Sequence, residues 1–494
     1  MRAGLLTAVL MACASAAAMA ADDRWIEVKS PHFTVVSNAG DKSARNVAWQ
    51  FEQIRAAIQA GWPWARVQLD RPVMVVAAKD EASMKMLLPQ YWEKGDRDSR
   101  PASVFNTSAD RHFIAMRSDL RADDTEGINP YFASYWSYSA LTLNNAFETP
   151  LPLWFRSGLA EVLSNSIVRD SEIQFGRAIP WHLVALQGAR LRLSELIALD
   201  ARSPYYTSGA TRSNFDAQCW GVMHYMLFGR GEDRIDRVNQ LATLLLNGKS
   251  SADAIQAVFG SVEALEQAYL QYQKKPISNY ARLKVETNVA SKDFPTRMLT
   301  AAELTVVRAA LHGAMGRAAD ARALIADARK LAPEAPGSYD VEAMLLDREG
   351  KREDARTALA KAADLKSDSF YTNYRLAVLT WSPNPDQDAR ARMEQLLRRS
   401  IAINDGFAPA QAFLGDVMAR GQRATEALAF ATRAVQLDPG DSDYRLTLAR
   451  VLWELSRRDD ARAAALAGRS LARTDQQRSE AEELLTFFNR IPAK

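Results

Sequence analysis

Across 494 residues, 48% of the side chains are hydrophobic and 24% charged, a globular balance that excludes a disordered polymer and leaves room for about three domains. Lys and Arg number 62 against 59 Asp and Glu, a formal charge of +3. No field of that size gathers nucleic acid or acidic lipid, so neither is expected as a partner.

The first twenty residues have the pattern of an export leader: Arg2, the apolar stretch Leu5 to Met11, then Ala18-Met19-Ala20 as a small-x-small cleavage site. They predict an exported chain, periplasmic or held in the cell envelope, with a lipid anchor at Cys13 as the alternative. Cleavage after Ala20 leaves Cys219 alone, which excludes an internal disulfide. No later run reaches the roughly 18 apolar residues of a membrane span, so no transmembrane segment is expected in the mature chain.

From residue 24 the periodicity alternates. Trp25 to Val28 and His32 to Val36 run at or near period two, Val47, Phe51, Ile54 and Ile58 at helical spacing, and Val73 to Ala78 as a buried strand. Ser103 to Asn106 and Phe113 to Met116 suit a hairpin, completing an α+β lobe. Residues 129 to 272 read as helical, punctuated by Pro150, Pro152 and Pro180, and residues 276–296 read as a connector.

The remainder, 297–494, is alanine-rich and periodic. Gly316, Ala321, Ile325, Ala328 and Pro333 recur one period later as Gly350, Ala355, Leu359 and Ala362, with Ser367 replacing the proline. Gly415, Ala427, Ala434 and Pro439 form a third match, and Ala461 lies one further period past Ala427. Ala355 and Ala427 are separated by slightly more than two periods, which places a short insertion near Trp381 to Pro385. Small residues recurring at about 34 residues are the signature of tetratricopeptide repeats. Here there are four recognisable units and a degenerate one, closed by a capping helix from Thr474 to Ile491.

Leu151-Pro152-Leu153-Trp154-Phe155-Arg156-Ser157-Gly158-Leu159-Ala160-Glu161 resembles a block of the peptidase MA-like (gluzincin) metalloproteases. The likeness covers about residues 24–275 of a domain placed at 21–275, through Ser30 to Ser37, Phe175 to Pro180 and Asn214 to Tyr225, and members of that family often carry tetratricopeptide units behind the protease domain. The resemblance implies a zinc site in which H-E-x-x-H supplies two ligands and the general base, and a downstream glutamate the third ligand. This chain departs from it: Tyr135 and Ser139 stand at the histidine positions, Trp136 at the base and Ser157 at the third ligand, while Glu161 survives one turn later. From Pro130 to Phe147 there is no His, Asp, Glu or Cys, and hydroxyls are poor zinc donors. No metal or other cofactor is expected. Cys219 and His224, five apart on one helix, do not share a face, and no nucleophile elbow surrounds Ser157. The rings of Tyr131, Phe132, Tyr135, Trp136 and Tyr138 either fill the vacated volume or line a cleft.

The expectation is a degenerate α+β gluzincin-like domain and an all-α repeat solenoid. Such a chain is a non-catalytic scaffold that takes a protein or peptide in its repeat groove, the alternative being an envelope peptidase with a site not legible here.

Overall fold

The structure, a computed structural model, describes residues 24–93, 100–120, 127–144, 147–169, 172–229, 233–277, 279–285, 289–382 and 385–490. The leader with Cys13 and Ala18 to Ala20 lies outside the described residues, as do Pro383 and Asn384 of the insertion.

Six strands form the central sheet: β1 (Ile26–Lys29), β2 (Phe33–Ser37), β3 (Val73–Ala78), β4 (Ser103–Thr107), β5 (His112–Arg117) and β9 (Thr296–Met298), in the order β4-β5-β3-β2-β1-β9. β2, β3 and β5 run parallel, and β1, β4 and β9 pair antiparallel to their neighbours. The long helix Asp41–Gly61 makes the crossover from β2 to β3 that a parallel pair requires. Period-two alternation then divides the strands between two cores. Val35, Val75 and Ile114 pack with Phe51, Ile54 and Ile58 of that helix. Val36, Val76 and Phe113 face the other way, onto Ala309, Leu311 and Val341 of the repeat region. Both faces of the sheet are therefore buried, which is why β3 reads as an unbroken apolar run.

The first core continues into the helices Phe132–Leu143, Leu153–Ser164 and Gly209–Phe228. A Cβ on Gly158 would stand 2.5 Å from the carbonyl oxygen of Cys219, so only glycine lets the last two helices approach this closely. The stretch expected to be wholly helical also holds the hairpin β6 (Ile167–Arg169) and β7 (Glu172–Phe175), strands too short for a periodic signal. The segment 276–296, expected to be a connector, instead supplies β8 (Ala281–Lys284) on the edge of that hairpin and the first residue of β9. It is sheet material because its apolar residues have partners: Phe294 is buried, and Arg297 just beyond ties Glu27 of β1 to Glu303 of the next helix.

The repeat region is five helix pairs, Ala301–Ala314 with Ala318–Leu331, Gly337–Arg348 with Arg352–Asp364, Phe370–Thr380 with Gln387–Ile403, Ala408–Arg420 with Ala424–Leu437, and Ser442–Glu454 with Arg458–Leu471, followed by Asp475–Arg490. The repeated small residues Ala321, Ala328, Ala355, Ala427 and Ala461 are all buried. A Cβ on Gly415 would approach Ala431 N to 3.2 Å, again a close crossing. Gly316 and Gly350 turn between paired helices with φ of 77° and 74°. Pro333 and Pro439 each follow a helix end. Ser367, where the second unit lacks its proline, is buried and donates to both carboxylate oxygens of Asp340 at 2.9 and 2.8 Å. No helix among the described residues is long and apolar enough to cross a membrane.

Candidate functional site

Two places invite attention: the position at which the resemblance implies zinc, and the cleft between sheet and repeats. Phe132–Leu143 carries Tyr135, Trp136 and Ser139, and the adjacent helix Leu153–Ser164 carries Ser157 and Glu161. Tyr135 is fully buried, its ring 5.7 Å from Phe51 and its hydroxyl donating to Gln50 Oε1 at 2.5 Å. Burial holds its phenol well above the usual tyrosine value, so it stays protonated and cannot serve as an anionic ligand. Tyr138 packs edge-on to Phe33 and Phe51. Ser139 is buried with its Oγ unpaired, and the partly buried Trp136 likewise has an unpaired indole nitrogen. A zinc ion does not fit this donor set of neutral hydroxyls and indole. Among the described residues no group of three or more His, Cys, Asp or Glu is arranged to hold a metal.

Glu161 has a partner that sequence reading does not find. His182 Nε2 lies 2.9 Å from Glu161 Oε2, both side chains nearly inaccessible, on the short helix Pro180–Ala185. The two stand on different elements, and no spacing rule joins them. Asp216 shares the neighbourhood: burial first, then the field of Glu161, pushes its carboxyl up to about 6 against the pull of Arg212, 2.9 Å away. The indole of Trp220 sits 5.7 Å from the His182 ring and 4.9 Å from His224. His224 is spoken for by Gly176 O at 2.7 Å and Tyr272 Oη at 3.0 Å, which leaves neither ring nitrogen to activate Cys219. Burial lowers His224 to about 4 and raises the Cys219 thiol, the reverse of what a thiolate nucleophile needs. The other histidines are held too, His32 by Glu52 at 2.7 Å, His112 by Thr107 at 3.0 Å and His312 by Leu87 O at 3.0 Å. The aromatic group thus belongs chiefly to packed core, with Trp181, 46% exposed and 5.0 Å from Phe132, at its outer margin.

The second place is a cleft of about 860 Å³. One wall is the sheet, with Thr34, Met74 and Phe113; the other is the first helices of two successive repeats. Val306, Val307 and Ala310 line it from the first unit, and their equivalents one period later, Asp340, Val341 and Met344, from the second. The domain and the repeats meet along a long edge: Asn404 Nδ2 donates to Asp70 O at 2.8 Å, Arg66 to Leu437 O at 3.0 Å, and Arg308 to Met86 O at 3.2 Å. The first two units therefore turn their first helices toward the chain's own sheet.

No protein-family model matches the chain, and no curated protein does. Among solved structures it is similar to YrrB, described as a TPR protein with an unusual peptide-binding site, at 16% identity over 36% of this chain and 90% of that one, TM-score 0.31. It is also similar to TTC0263, a thermophilic TPR protein of Thermus thermophilus, at 18% identity over 38% of this chain and 100% of that one, TM-score 0.28. A third is pilF of Pseudomonas aeruginosa, at 12% identity over 38% and 89%, TM-score 0.29. The repeat architecture here stands on the helix pairing and the regular recurrence described above.

Proposed function

We propose that this chain is a non-catalytic scaffold that binds a polypeptide through its repeats, exported by its leader to the cell envelope, with a gluzincin-like domain that has lost its zinc chemistry. The observation that carries the reading is the Tyr135 hydroxyl bonded to Gln50 while its ring interlocks with Phe51, because it puts a neutral, protonated group where the resemblance requires a metal-binding nitrogen. The surviving carboxylate, Glu161, is paired with His182 and serves the core. What remains on offer is shape: stacked helix pairs that present equivalent side chains at a constant interval, the surface with which repeat proteins recognise extended chains.

Two measurements on the purified mature chain test this. Metal analysis after dialysis should find less than about 0.1 zinc per chain, and a fluorescent casein assay should give no turnover that a chelator abolishes. Stoichiometric zinc lost in Glu161→Ala, or chelator-sensitive hydrolysis, would establish the envelope peptidase instead.

A further inference from the structure

The sheet–repeat cleft has an unequal charge balance. On the sheet wall each cation is matched from its own side: Arg71 by Asp70 at 3.1 Å, Arg111 by Asp110 at 2.7 Å, and Lys29 and Arg297 by Glu27 at 3.6 and 2.9 Å. The repeat wall is different. Among the described residues Asp340, Asp368 and Asp405 form no ion pair; against these three acids stand Lys366 and, from the sheet wall, Arg111, which feels Asp368 and Asp340 but is already held by Asp110. Asp340 sits within the cleft, buried, while Asp368 and Asp405 stand exposed at its mouth. Asp340 keeps two hydroxyl donors, Ser367 and Thr372, yet burial, helped by the fields of Asp110 and Asp368, pushes it up to about 6. Burial and like charge there outweigh its hydroxyl donors. Between the acids and the far end of the cleft the walls are apolar, from Met74 and Phe113 on one side and Val306, Val307, Val341 and Met344 on the other. Its volume lies within the ordinary range for ligand sites, about 300–1,000 Å³.

We propose that this cleft, walled by both domains, is where the polypeptide binds, and that it takes an extended segment whose Lys or Arg side chain enters between Asp340, Asp368 and Asp405. The inference rests on the polypeptide-binding reading and adds its location and its charge preference. An apolar neighbour of that basic residue lies against the Val307 and Met344 helices, and the sheet face closes over it from the side of Thr34. A cationic side chain supplies the charge that the repeat wall lacks, and its attraction to the exposed mouth acids is screened by salt.

The test is selection of random short peptides displayed on phage against the intact mature chain, followed by fluorescence anisotropy with the selected sequences as synthetic peptides. The selected peptides should share a Lys or Arg. Replacing it with Glu should weaken binding at least about tenfold at low salt, and less at high salt. Asp368→Lys with Asp405→Lys, both on the surface, should invert that preference. Thr34→Trp, which projects an indole from the sheet wall, should abolish binding while circular dichroism and the unfolding midpoint stay unchanged, and Val307→Trp gives the same block from the opposite wall. Selected peptides that lack a basic residue, or that bind both tryptophan variants normally, overturn the cleft and leave polypeptide binding elsewhere on the repeats. Failure to select any peptide overturns the polypeptide reading itself.

Discussion

The N-terminal domain and the repeats both bring helices into close contact, but they use opposite materials. In the domain the crossing of Leu153–Ser164 with Gly209–Phe228 depends on one glycine amid large rings, Trp154, Phe155, Trp220 and Tyr135, drawn from segments far apart in sequence. In the repeats the contacts are alanines within a single helix pair, renewed once per unit. A fault in the first kind of core has long-range consequences, whereas a fault in the second stays in its unit and that unit's neighbours. On the reading proposed above, chemistry can be lost from the domain while its fold persists, because rings fill the volume that a metal and its ligands would take.

The contrast is sharpest at the buried Glu161–His182 pair, which no ion pair among the described residues of the repeats equals in burial. His182→Ala leaves the Glu161 carboxylate in the core beside Asp216, and removing one partner of a buried pair costs about 3–5 kcal/mol. Urea unfolding followed by tryptophan fluorescence should show the domain transition moved by that amount and the helical signal of the repeats moved far less. Equal shifts in both signals would mean that the two regions unfold as one body, joined by β9 and the shared sheet face. Pairing His182→Ala with Glu161→Gln should restore part of the loss, since no charge is then stranded.

Each region also holds an acid raised to about 6, Asp216 in the domain and Asp340 in the repeats, both raised first by burial. The folded state binds these protons more tightly than the unfolded chain. Their contribution is therefore complete below the unfolded value of about 4 and is lost as the pH rises through 6. The loss is on the order of 2–3 kcal/mol for each acid at most. Asp340→Asn should raise stability relative to the parent at pH 7.5 and make little difference at pH 4, and Asp216→Asn should do the same unless Arg212, left without its partner, offsets the gain. Denaturant midpoints at the two pH values check this. A variant whose gain is equal at both pH values would show that the effect is not titration.

A milder comparison uses the two crossing glycines. A Cβ at Gly158 meets a backbone oxygen at 2.5 Å and cannot be accommodated without moving a helix, whereas one at Gly415 meets a backbone nitrogen at 3.2 Å and needs a shift of a few tenths of an ångström. Gly158→Ala should cost about 1–3 kcal/mol, as overpacking does, and Gly415→Ala less. Thermal unfolding of both variants ranks them, and the reverse order would contradict the geometry.

How much of this is legible in the sequence depends on range. The regular recurrence exposes the repeats because each unit's packing is local, and it locates the insertion, with Phe370–Thr380 and Gln387–Ile403 flanking it. The strands β1 and β2 are legible by alternation, β3 as an apolar run, and β4 and β5 as a hairpin. The connector reading fails because β8 and β9 are short, largely exposed, and meaningful only beside β7 and β1, distant in sequence. At the position implied for zinc the missing donors are plain, but the His182 partner of Glu161 and the Gln50 partner of Tyr135 are not, because both depend on elements brought together by the fold. The apposition of Val306 and Met344 to the sheet is equally hidden: the apolar runs of β2 and β3 do not say that the repeats bury one face.

The smallest effect lies in the turns within the repeats, where the backbone keeps its conformation and the residue type does not. The first two units place glycine at the left-handed position, Gly316 and Gly350, but the last two place Gln422 and Ser456 there, one period apart, with φ of 61° and 63°. A side chain in that conformation costs about 1–2 kcal/mol, while glycine gives back part of the gain through the greater freedom it confers on the unfolded chain. Gln422→Gly and Ser456→Gly should therefore each stabilise by about 0.5–1 kcal/mol, and Gly350→Ala should destabilise by a similar amount. Circular dichroism melts of the three variants measure this. If the two glycine substitutions leave the melt unchanged while Gly350→Ala lowers it, the later turns relax in ways the earlier ones do not, and the units are less alike than their spacing implies.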